Sequence, residues 1–471
     1  AVEHEGLDYY LMEAFDQPWK QVFEGPAGAY WGVFNAEREP KFSFVEPISP
    51  MPNWGGLAAL SIGLAFGLAA LLLQRAHNLR RRGVVFLCMT VYGVVSLGVW
   101  LFADYLRQYL DLGLQVMTVV LAIGMFGVVA LLLTEAHEWT EALWLRRWQR
   151  QPELPRPQQT DTPKVSIHVP AYNEPPEMLI ASLDALARLD YPDYEVVVVD
   201  NNTRDPARWH PIEAHCQRLG ERFRFHHVAS LEGYKAGALN FALAHSDPAA
   251  KIIAVVDSDY QVEPDWLRDL VPLFRDPTIS LVQSPQDYRD GHESLFKAMC
   301  QAEYRGFFDV GMMTRNERDA IIQHGTMTLV RRATLVSVGG WSEWCITEDA
   351  ELGLKILEAG QSSLYVPRSY GRGLVPDSFL DFKLQRFRWA YGAARILGKH
   401  LGQLTGTRTS GLTTGQRYHF VTGWLPWLAD AFNLLINLVA IVWTAGMVLM
   451  PERFAPPHPA FVVLPMALFG F

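Results

Sequence analysis

Three long apolar runs stand out in the first third of the chain. Residues 54–74, 84–103 and 114–133 contain no charged side chain. A helix of about 20 residues rises about 30 Å, which is the thickness of the hydrocarbon core of a bilayer. Each run therefore predicts a membrane-spanning helix. A fourth span is predicted at residues 431–450, and a fifth from about residue 460.

The loops between these runs predict their orientation. The loop after the first run reads "RAHNLRRR" and the loop after the third reads "LWLRRWQRQ", whereas the loop between the second and third holds one basic residue, Arg107. Because loops rich in Lys and Arg stay in the cytoplasm, we expect residues 1–53 outside and residues 135–430 inside a bacterial-type inner membrane. The alternative, buried core helices of a soluble protein, is disfavoured by three such runs in close succession.

A different pattern begins at residue 163. Runs rich in β-branched residues, "KVSIHVPAYNE", "YEVVVVDNNT", "FRFHHVA" and "KIIAVVDSD", alternate with the helically spaced runs "MLIASLDALARL" and "KAGALNFALAHS". Strands that are apolar on both faces and alternate with helices are typical of a parallel α/β sheet. Such sheets bind ligands at the carboxyl ends of their strands. The polar residues predicted at these ends are Tyr172, Asn173, Glu174, Asp200, Asn201, Asp257, Ser258 and Asp259.

Composition and charge exclude several classes of protein. With 471 residues the chain is expected to hold at least two domains, and a net charge of −9 disfavours a general nucleic-acid binder. The four cysteines contain no C-x-x-C pair, which favours reduced thiols facing the cytosol over a disulfide framework or a zinc site. The chain opens without a secretory signal peptide and ends inside an apolar run. We therefore expect a piece of a longer protein.

Two aspartates follow the last of these predicted strands, one residue apart. Asp257 and Asp259, at i and i+2 of an extended segment, point broadly to the same side, so their charges repel unless a cation lies beside them. Carboxylate oxygens of this kind suit Mg²⁺ or Mn²⁺, which substrate phosphates often share. The alternative is a pair of solvated turn acids. Their position at the end of a buried strand favours the metal site.

A second acidic pair lies in "WCITEDAELGLKIL". Thr347 is placed to cap a helix, with Glu348 and Asp349 in its first turn, where the helix dipole favours acids. The functional alternative makes Asp349 a general base that takes the proton of a sugar hydroxyl. Such a base needs a pKa above the usual aspartate value, and a charge on Glu348 would raise it.

The segment "LQRFRWAYGAARIL" joins polar and aromatic groups on one predicted helix. Gln385, Arg388 and Trp389 have the spacing Q-x-x-R-W. An Arg fork suits the oxygens of a diphosphate, and the face of a Trp suits a sugar ring. The alternative is a basic amphipathic helix on the membrane surface, and the two interpretations are compatible.

The motifs "VPAYNE", "VVDNNT", "YKAGALN", "DSD", "TED" and "QRFRW", in this order, resemble those of the processive family-2 glycosyltransferases, the cellulose-synthase-like enzymes. The resemblance covers about residues 163–400 and the apolar runs beside them. It implies a GT-A fold, a UDP-sugar donor and a divalent cation, Mg²⁺ or Mn²⁺. It also implies transfer with inversion to a growing polysaccharide at the lipid bilayer.

The resemblance further implies roles for individual residues. Those implied in binding the nucleotide sugar are Tyr172, Glu174, Asp200, Lys235, Asp257, Gln385 and Arg388. Those implied at the acceptor are Trp389, His324 and Gly325, those at the metal are Asp259 and Asp257, and those in catalysis are Asp349 and Glu348. Two positions depart from the family pattern. Asn201 replaces a second acid, and His324 stands where many members carry Cys.

Residues 1–50 resemble the last strand and tail of the β-1,3-glucanase-like glycoside hydrolases, which are TIM barrels. The resemblance rests on "YYLMEAFDQPWK" and "GAYWGVFNAEREPKFSF". No hydrolase chemistry is expected, because the catalytic carboxylates of that family would lie upstream. Glu13 and Asp16 are candidates for a sugar site, with solvated loop acids as the alternative. This segment favours a β-glucan product, β-1,3-linked, made from UDP-glucose and exported.

The expected organisation runs from an outside segment to a final set of spans. Its parts are residues 1–50 outside, spans at 54–134, a cytoplasmic linker at 135–162, a GT-A domain at 163–400, an interfacial amphipathic segment at 401–430 and spans at 431–471. Two alternatives remain for the product: one sugar placed on a lipid carrier, or another β-polysaccharide such as cellulose or a chitin-like polymer. A transporter is disfavoured because the first three spans hold no acid.

Overall fold

The computed structural model divides into two compact units. The first comprises residues 1–144 and 429–471, and the second comprises residues 145–428. The structure describes residues 10–24, 26–43, 51–74, 78–110, 112–152 and 162–450. The fifth predicted span, from about residue 460, lies outside the described residues.

The described N-terminal segment contains little regular structure. Its strands β1 (Glu13–Phe15) and β2 (Gly32–Phe34) pair in parallel, and a single helical turn, α1 (Gln21–Glu24), lies between them. Two 3₁₀ turns flank α1, at Pro18–Lys20 and Pro26–Tyr30. The predicted strand at the start of this segment is therefore present but short.

The two acids of this segment that are candidates for a sugar site both have internal partners. Asp16 is buried, and its Oδ1 accepts hydrogen bonds from the Gly32 N–H and from Nζ of Lys41, each at 2.9 Å. Glu13 forms an ion pair with Lys20. These partners make both carboxylates part of the local structure rather than solvated loop acids.

Three helices in the described residues are long and apolar enough to cross a membrane. They are α2 (Trp54–Leu72), α3 (Arg81–Tyr105) and α4 (Leu112–Trp144), with Thr118–Trp144 as the apolar stretch of α4. Helix α4 continues past residue 134, so the linker predicted at 135–162 begins as helix. Residues 135–144 contain no Gly or Pro and are rich in Glu and Ala, which favour helix.

The second unit contains a large sheet and a small one. Its strands are β3 (Val165–Ala171), β4 (Tyr194–Asn201), β5 (Phe223–Val228), β6 (Ile252–Val255), β7 (Gln261–Val262), β8 (Ile279–Gln283), β9 (Asp287–Tyr288), β10 (Thr328–Arg331), β11 (Ser362–Tyr365) and β12 (Gly371–Gly373). The large sheet has seven strands in the order β11-β8-β10-β6-β3-β4-β5, and the small sheet has the order β7-β12-β9.

The large sheet is mixed, so the prediction of a parallel sheet is only half right. Strands β3, β4, β5 and β6 are parallel, but β10 lies antiparallel between β6 and β8. Thr328, the first residue of β10, pairs with Val255, the last residue of β6. The antiparallel direction therefore places the residues that precede β10 beside the carboxyl end of β6, where Asp257 and Asp259 follow.

Helices cover this sheet and continue to the end of the described chain. They are α5 (Pro176–Ala187), α6 (Pro206–Leu219), α7 (Tyr234–His245), α8 (Trp266–Leu270), α9 (Leu295–Arg305), α10 (Met313–Asn316), α11 (Arg332–Ser337), α12 (Glu348–Glu358), α13 (Phe379–Thr405) and α14 (Thr414–Leu449). Every residue of β4 is buried, and so are Leu179, Leu183 and Leu186 of α5, which confirms the predicted period of that helix.

Helix α14 crosses a boundary that the sequence places at residue 430. Residues 401–430 are predicted as a separate interfacial segment, but α13 extends to Thr405 and α14 runs without interruption from Thr414 to Leu449. Pro426 lies inside α14 without ending it. The amphipathic stretch and most of the fourth predicted span are therefore one helix.

Leu183→Ala should lower the midpoint of thermal unfolding of the second unit. Leu183 is fully buried in the cluster that joins α5 to the sheet, and such a change typically costs about 2–5 kcal/mol through lost burial and a residual cavity. Circular dichroism of the full chain measures the midpoint. Leu295→Ala is the matched control because Leu295 is 79% exposed. Equal shifts in the two variants would contradict this packing.

Candidate active site

The ends of the predicted strands meet at one edge of the large sheet. Glu174 follows β3, and its Oε1 accepts a hydrogen bond at 2.9 Å from the hydroxyl of Ser258, which follows β6. Burial raises the pKa of Glu174 against this hydrogen bond, and the charges of Asp259 and Asp257 raise it further. The acids that follow β3 and β6 are therefore close enough for the charge of one to shift the pKa of another.

Asp200, near the end of β4, has partners on both carboxylate oxygens. Its Oδ1 accepts a hydrogen bond from the Thr203 hydroxyl at 2.7 Å, and its Oδ2 lies 2.8 Å from Nδ1 of His227. Thr203 in turn accepts from the backbone N–H of Asn173 at 2.8 Å. Asp200 thus ties together the turns that follow β3 and β4, and the nearby Tyr172 is 63% exposed.

One lysine lies among the acids at this edge. Nζ of Lys235 donates to Oδ1 of Asp257 at 2.5 Å and to the carbonyl oxygen of Gly325 at 2.9 Å. A Cβ atom on Gly325 would lie 2.6 Å from Nζ of Lys235 and 3.1 Å from Oδ2 of Asp349. The loop before β10, the end of β6 and the first turns of α7 and α12 therefore converge. A side chain at position 325 would displace the end of the Lys235 side chain.

The turn before α7 has a backbone conformation that side chains rarely adopt. The φ angle is 83° at Gly233 and 51° at Tyr234. The left-handed conformation costs a non-glycine residue about 1–2 kcal/mol. A Cβ atom on Gly237 would lie 2.0 Å from the carbonyl oxygen of Glu232, so the turn lies against the first turn of the helix. This backbone fixes where the Lys235 side chain begins.

Burial dominates the electrostatics of Glu348 and Asp349. It raises the pKa of both carboxyl groups, the charge of Asp349 adds to the rise at Glu348, and the ammonium of Lys235 opposes the rise at both. Burial lowers the pKa of Lys235, but the charges of Asp257 and Glu348 more than reverse this and raise it above the usual value. Lys235 therefore stays charged, and Asp349 is a stronger base than an ordinary aspartate.

Asp257 and Asp259 offer only part of a metal site. Oδ2 of Asp259 accepts a hydrogen bond from the Leu374 N–H at 2.8 Å, and burial together with the charge of Asp257 raises the pKa of Asp259 to about 6. The described residues contain no group of three or more His, Cys, Asp or Glu placed to hold a metal ion. Because Mg²⁺ takes about six oxygen ligands, these two carboxylates fit a metal that is completed by ligands such as phosphate oxygens.

A cavity of about 160 Å³ lies beside the acids within the second unit. Asp349, His324 and Trp389, three residues with implied roles, line its wall. The other lining residues are mostly aromatic or apolar: Glu303, Tyr304, Phe307, Phe308, Ile322, Gln323, Thr347, Ala350, Arg386, Ala393, Gly423, Trp424 and Trp427. An aromatic wall with a few polar groups is typical of a small-molecule or sugar site.

His324 and Gln323 carry unpaired polar atoms on this wall. The His324 ring packs against Phe307 and Phe308, with centroids 5.0 and 4.9 Å away. Burial lowers the pKa of His324 to about 3, and the charge of Arg315 contributes, so the ring is neutral. Within the described part of the chain, Nε2 of His324 and Oε1 of Gln323 have no hydrogen-bond partner. Both are buried polar atoms, and both of their residues contribute to the wall of the cavity.

Helix α13 presents Arg386 to the cavity, beside Trp389. Cζ of Arg386 lies 4.3 Å from the centre of the Trp389 ring, and its guanidinium pairs with the Glu303 carboxylate at 2.7 and 3.0 Å. Arg388 is exposed and does not line the cavity. The residue three positions before Trp389 shares its helix face, whereas the adjacent residue does not. The role of Arg388 at a diphosphate stays a prediction.

No local sequence signal marks the aromatic wall of the cavity. The Trp389 ring lies edge-on to Tyr304, with centroids 5.8 Å apart, and to Trp427 at 6.3 Å. The Tyr304 hydroxyl donates to Oε1 of Gln385 at 2.6 Å. These rings come from α9, α13 and α14, and only the tertiary fold brings them together. Helical spacing within the Q-x-x-R-W motif does, however, identify Arg386.

Helix α13 approaches the start of α12 closely at Gly392, which packs against the Thr347 side chain. A Cβ atom on Gly392 would lie 2.1 Å from Oγ1 of Thr347. Thr347 occupies the predicted N-cap position, although its side chain makes no capping hydrogen bond. This close approach sets the separation between the Trp389 face of α13 and Asp349.

Residues 252–468 match the family model described as Glycosyl transferase family group 2. This matched region includes Asp257, Asp349 and Trp389. One relative, glucomannan 4-β-mannosyltransferase 7 of Arabidopsis thaliana, is 26% identical over 307 residues, covering 64% of this chain and 54% of that protein. Another, probable glucomannan 4-β-mannosyltransferase 1 of the same plant, is 31% identical over 245 residues, covering 50% and 44%. The chain spans about half the length of these curated relatives.

Among solved structures, the chain is similar to a mannosyltransferase from Pyrobaculum calidifontis in complex with GDP-Man and Mn²⁺. The TM-score is 0.54 at 22% identity, and the match covers 74% of this chain and 91% of that one. This likeness confirms the predicted GT-A-like glycosyltransferase fold. The TIM-barrel remnant at residues 1–50 stays a prediction.

Glu348→Gln should make the thermal midpoint of the second unit less sensitive to pH. The unfolded carboxyl titrates near its usual value of 4.5, whereas burial and Asp349 raise its pKa in the folded state. The folded state therefore binds more protons, and its stability falls as pH rises above 4.5. Between about pH 5 and pH 8 the wild-type midpoint should fall more than that of the variant. Glu221→Gln, at an exposed acid, is the control, and parallel curves for wild type and Glu348→Gln would contradict the raised pKa.

Proposed function

We propose that this protein is an inverting hexosyltransferase that moves a sugar from a nucleotide sugar to the end of a growing β-linked polysaccharide. The position of Asp349 carries the proposal. Its carboxylate lines the aromatic cavity and lies beside Lys235, which pairs with Asp257. Asp349 thus lies between the cavity, which is proposed to hold the acceptor, and the pair of Lys235 and Asp257, which is proposed to lie at the diphosphate.

In the proposed reaction the acceptor hydroxyl gives its proton to the Asp349 carboxylate. The hydroxyl oxygen bonds to the anomeric carbon as the bond from that carbon to the diphosphate breaks, and a nucleoside diphosphate leaves. The raised pKa of Asp349 supports this role, since a well-matched base contributes about 10²- to 10⁴-fold. Lys235 would stabilise the charge that develops on the leaving group. A metal held by Asp257 and Asp259 would supply further positive charge there.

The two ends of the donor have separate candidates. Tyr172, with its exposed ring, and the carboxylates of Glu174 and Asp200 are proposed at the nucleoside. Gln385 and Arg388 keep their predicted roles at the diphosphate. The hydrogen bonds that Glu174 and Asp200 already make support fixed positions for both carboxylates.

The acceptor is proposed to bind in the aromatic cavity. Trp389 offers a flat face for a sugar ring, and the unpaired atoms of His324 and Gln323 offer hydrogen bonds to its hydroxyl groups. Gly325 would let the attacking hydroxyl come close to Asp349, because it places no side chain beside that carboxylate. A chain end held in this way can be extended repeatedly, which is the basis for proposing a polymer.

Two sugars are candidates for the polymer. UDP-glucose, giving a β-glucan with β-1,3 linkages, is supported by the resemblance of residues 1–50 to β-1,3-glucanase-like enzymes. A mannosyl donor, giving a 4-β-linked mannan, is supported by the names of the curated relatives. The three apolar helices and the arginine-rich loops support a bilayer setting, with the catalytic unit in the cytoplasm and export of the product.

The full chain in lipid nanodiscs should release nucleoside diphosphate from one donor and build a polymer from it. UDP-glucose, GDP-mannose and UDP-GlcNAc are offered separately with Mn²⁺ or Mg²⁺, and the product is typed with linkage-specific glucanases and mannanases. Asp349→Asn should lower the rate about 10²- to 10⁴-fold while the protein stays folded.

Asp193→Asn is the control for this experiment, since the Asp193 side chain is 54% exposed and lies outside the cavity. Polymer from GDP-mannose would select the mannan, and polymer from UDP-glucose the glucan. Turnover of none of the three donors would contradict the proposed activity, and full activity in Asp349→Asn would contradict the base.

Trp389→Ala should abolish elongation while the protein stays folded. Loss of a large aromatic contact costs about 1.5–3 kcal/mol, which lowers acceptor binding about 10- to 150-fold. Product length by gel chromatography is the readout. Trp344→Ala is the matched control because Trp344 does not line this cavity. An unchanged product consisting of one sugar on a lipid carrier would favour non-processive transfer instead.

A further inference from the structure

The ammonium of Lys235 lies where a cation is needed among the acids. It contacts Asp257 at 2.5 Å, and Asp349 lies across Gly325 from it. Its second hydrogen-bond partner is the carbonyl oxygen of Gly325, at 2.9 Å. A positive charge belonging to the chain therefore already offsets the carboxylate that a divalent cation would use.

The lysine backbone is fixed but its side chain is not. The left-handed turn at Gly233 and Tyr234 sets the start of α7 and with it the Cα atom of Lys235. The side chain is a flexible four-carbon stem with a compact charge, so the ammonium can exchange one oxygen partner for another without movement of the helix. The side chains of Lys235 and Asp257 are 30% and 33% exposed, which leaves the pair accessible to a ligand.

The remaining metal ligands are few. Asp259 uses one oxygen on the Leu374 N–H, and the described residues contain no group of three or more metal-binding side chains. A divalent cation that entered without phosphate would meet an incomplete set of ligands and an adjacent ammonium of like charge. Both effects oppose its binding.

We propose that Lys235 is an internal counter-ion that keeps the divalent cation out until a diphosphate arrives. The ammonium of Lys235 would leave Asp257 and bind the diphosphate instead. The Asp257 carboxylate would then be free to bind the cation, and phosphate oxygens would complete the coordination of that cation. The proposal rests on the proposed function for the presence of a diphosphate. The new element is an order of binding, in which the diphosphate precedes or accompanies the divalent cation. Lys235 then has a second role besides its contact with the leaving group.

This arrangement couples the two ligands thermodynamically. If the diphosphate strengthens cation binding by some factor, the cation strengthens diphosphate binding by the same factor, and such coupling is typically about 5- to 150-fold. Removing the lysine charge should weaken the coupling from both directions. The cation alone should then bind more tightly, whereas the diphosphate alone should bind less tightly because it loses its ammonium partner.

Mn²⁺ binding to the full chain in nanodiscs, followed by electron paramagnetic resonance, tests the proposal without any turnover. The probes are Mn²⁺ alone and Mn²⁺ with pyrophosphate, UDP or GDP. Wild type should bind Mn²⁺ weakly when Mn²⁺ is offered alone. With a diphosphate present, its affinity for Mn²⁺ should be at least about tenfold higher. Lys235→Met should bind Mn²⁺ alone about tenfold more tightly than wild type, with a smaller gain from the diphosphate.

Two further variants show whether a change in Mn²⁺ binding comes from the loss of the lysine charge or from a loss of folding. Lys235→Gln is neutral but can still donate hydrogen bonds to Asp257 and Gly325, so it should behave like Lys235→Met and remains informative if the latter does not fold. Lys164→Met removes a lysine that pairs with Asp247 away from the acids, and it should match wild type.

Tight Mn²⁺ binding by wild type without a diphosphate would overturn the proposal. So would equal Mn²⁺ affinity in wild type and both neutral variants. These outcomes differ from a failure of the proposed function, which would appear as an absence of donor turnover even where the Mn²⁺ titrations behave as expected.

Discussion

The ion pair between Lys235 and Asp257 allows a cluster of acids to form inside the second unit. We call this cluster, together with the lysine, the polar centre. Four acids, Asp257, Asp259, Glu348 and Asp349, come from the end of β6 and the first turn of α12, and burial raises the pKa of three of them. Carboxylates gathered in this way repel one another unless a positive charge accompanies them. The lysine on α7 supplies that charge, and Gly325 leaves room for it.

The direction of one strand determines which groups reach this centre. Because β10 is antiparallel to β6, the loop before it lies next to Asp257 and brings His324 and Gly325 with it. A parallel strand would have placed that loop at the opposite edge of the sheet. The mixed sheet therefore brings the loop that carries His324 and Gly325 next to the acids that follow β6.

Much of the fold follows from local pattern, whereas the cavity does not. The apolar runs of β3, β4 and β6 and the leucines of α5 identify their elements because burial on one or both faces leaves a clear period. The antiparallel β10 and the continuous α14 depend on long-range pairing and packing, which no local period records. For the same reason the sequence identifies Asp349 and Trp389 but not Tyr304 or Trp427.

The choice between Arg386 and Arg388 has a simpler lesson. Both lie within the same five-residue motif. If that motif is considered only as a linear string of residues, nothing distinguishes the two arginines. On a helix, only the residues three and four positions before Trp389 share its face, and these are Arg386 and Gln385. Helical geometry applied to the motif thus predicts, without a structure, that Arg386 lies beside Trp389.

The contact between Gly392 and Thr347 limits how this cavity can be redesigned. Any larger residue at position 392 would push α13 away from α12 and carry Trp389 away from Asp349, so that the two side chains no longer lined the same cavity. A library aimed at wider or narrower acceptors should therefore keep this glycine and vary the opposite wall, at Trp424 and Trp427 on α14. Substitutions there would change the volume of the cavity while they preserve the spacing between Trp389 and Asp349.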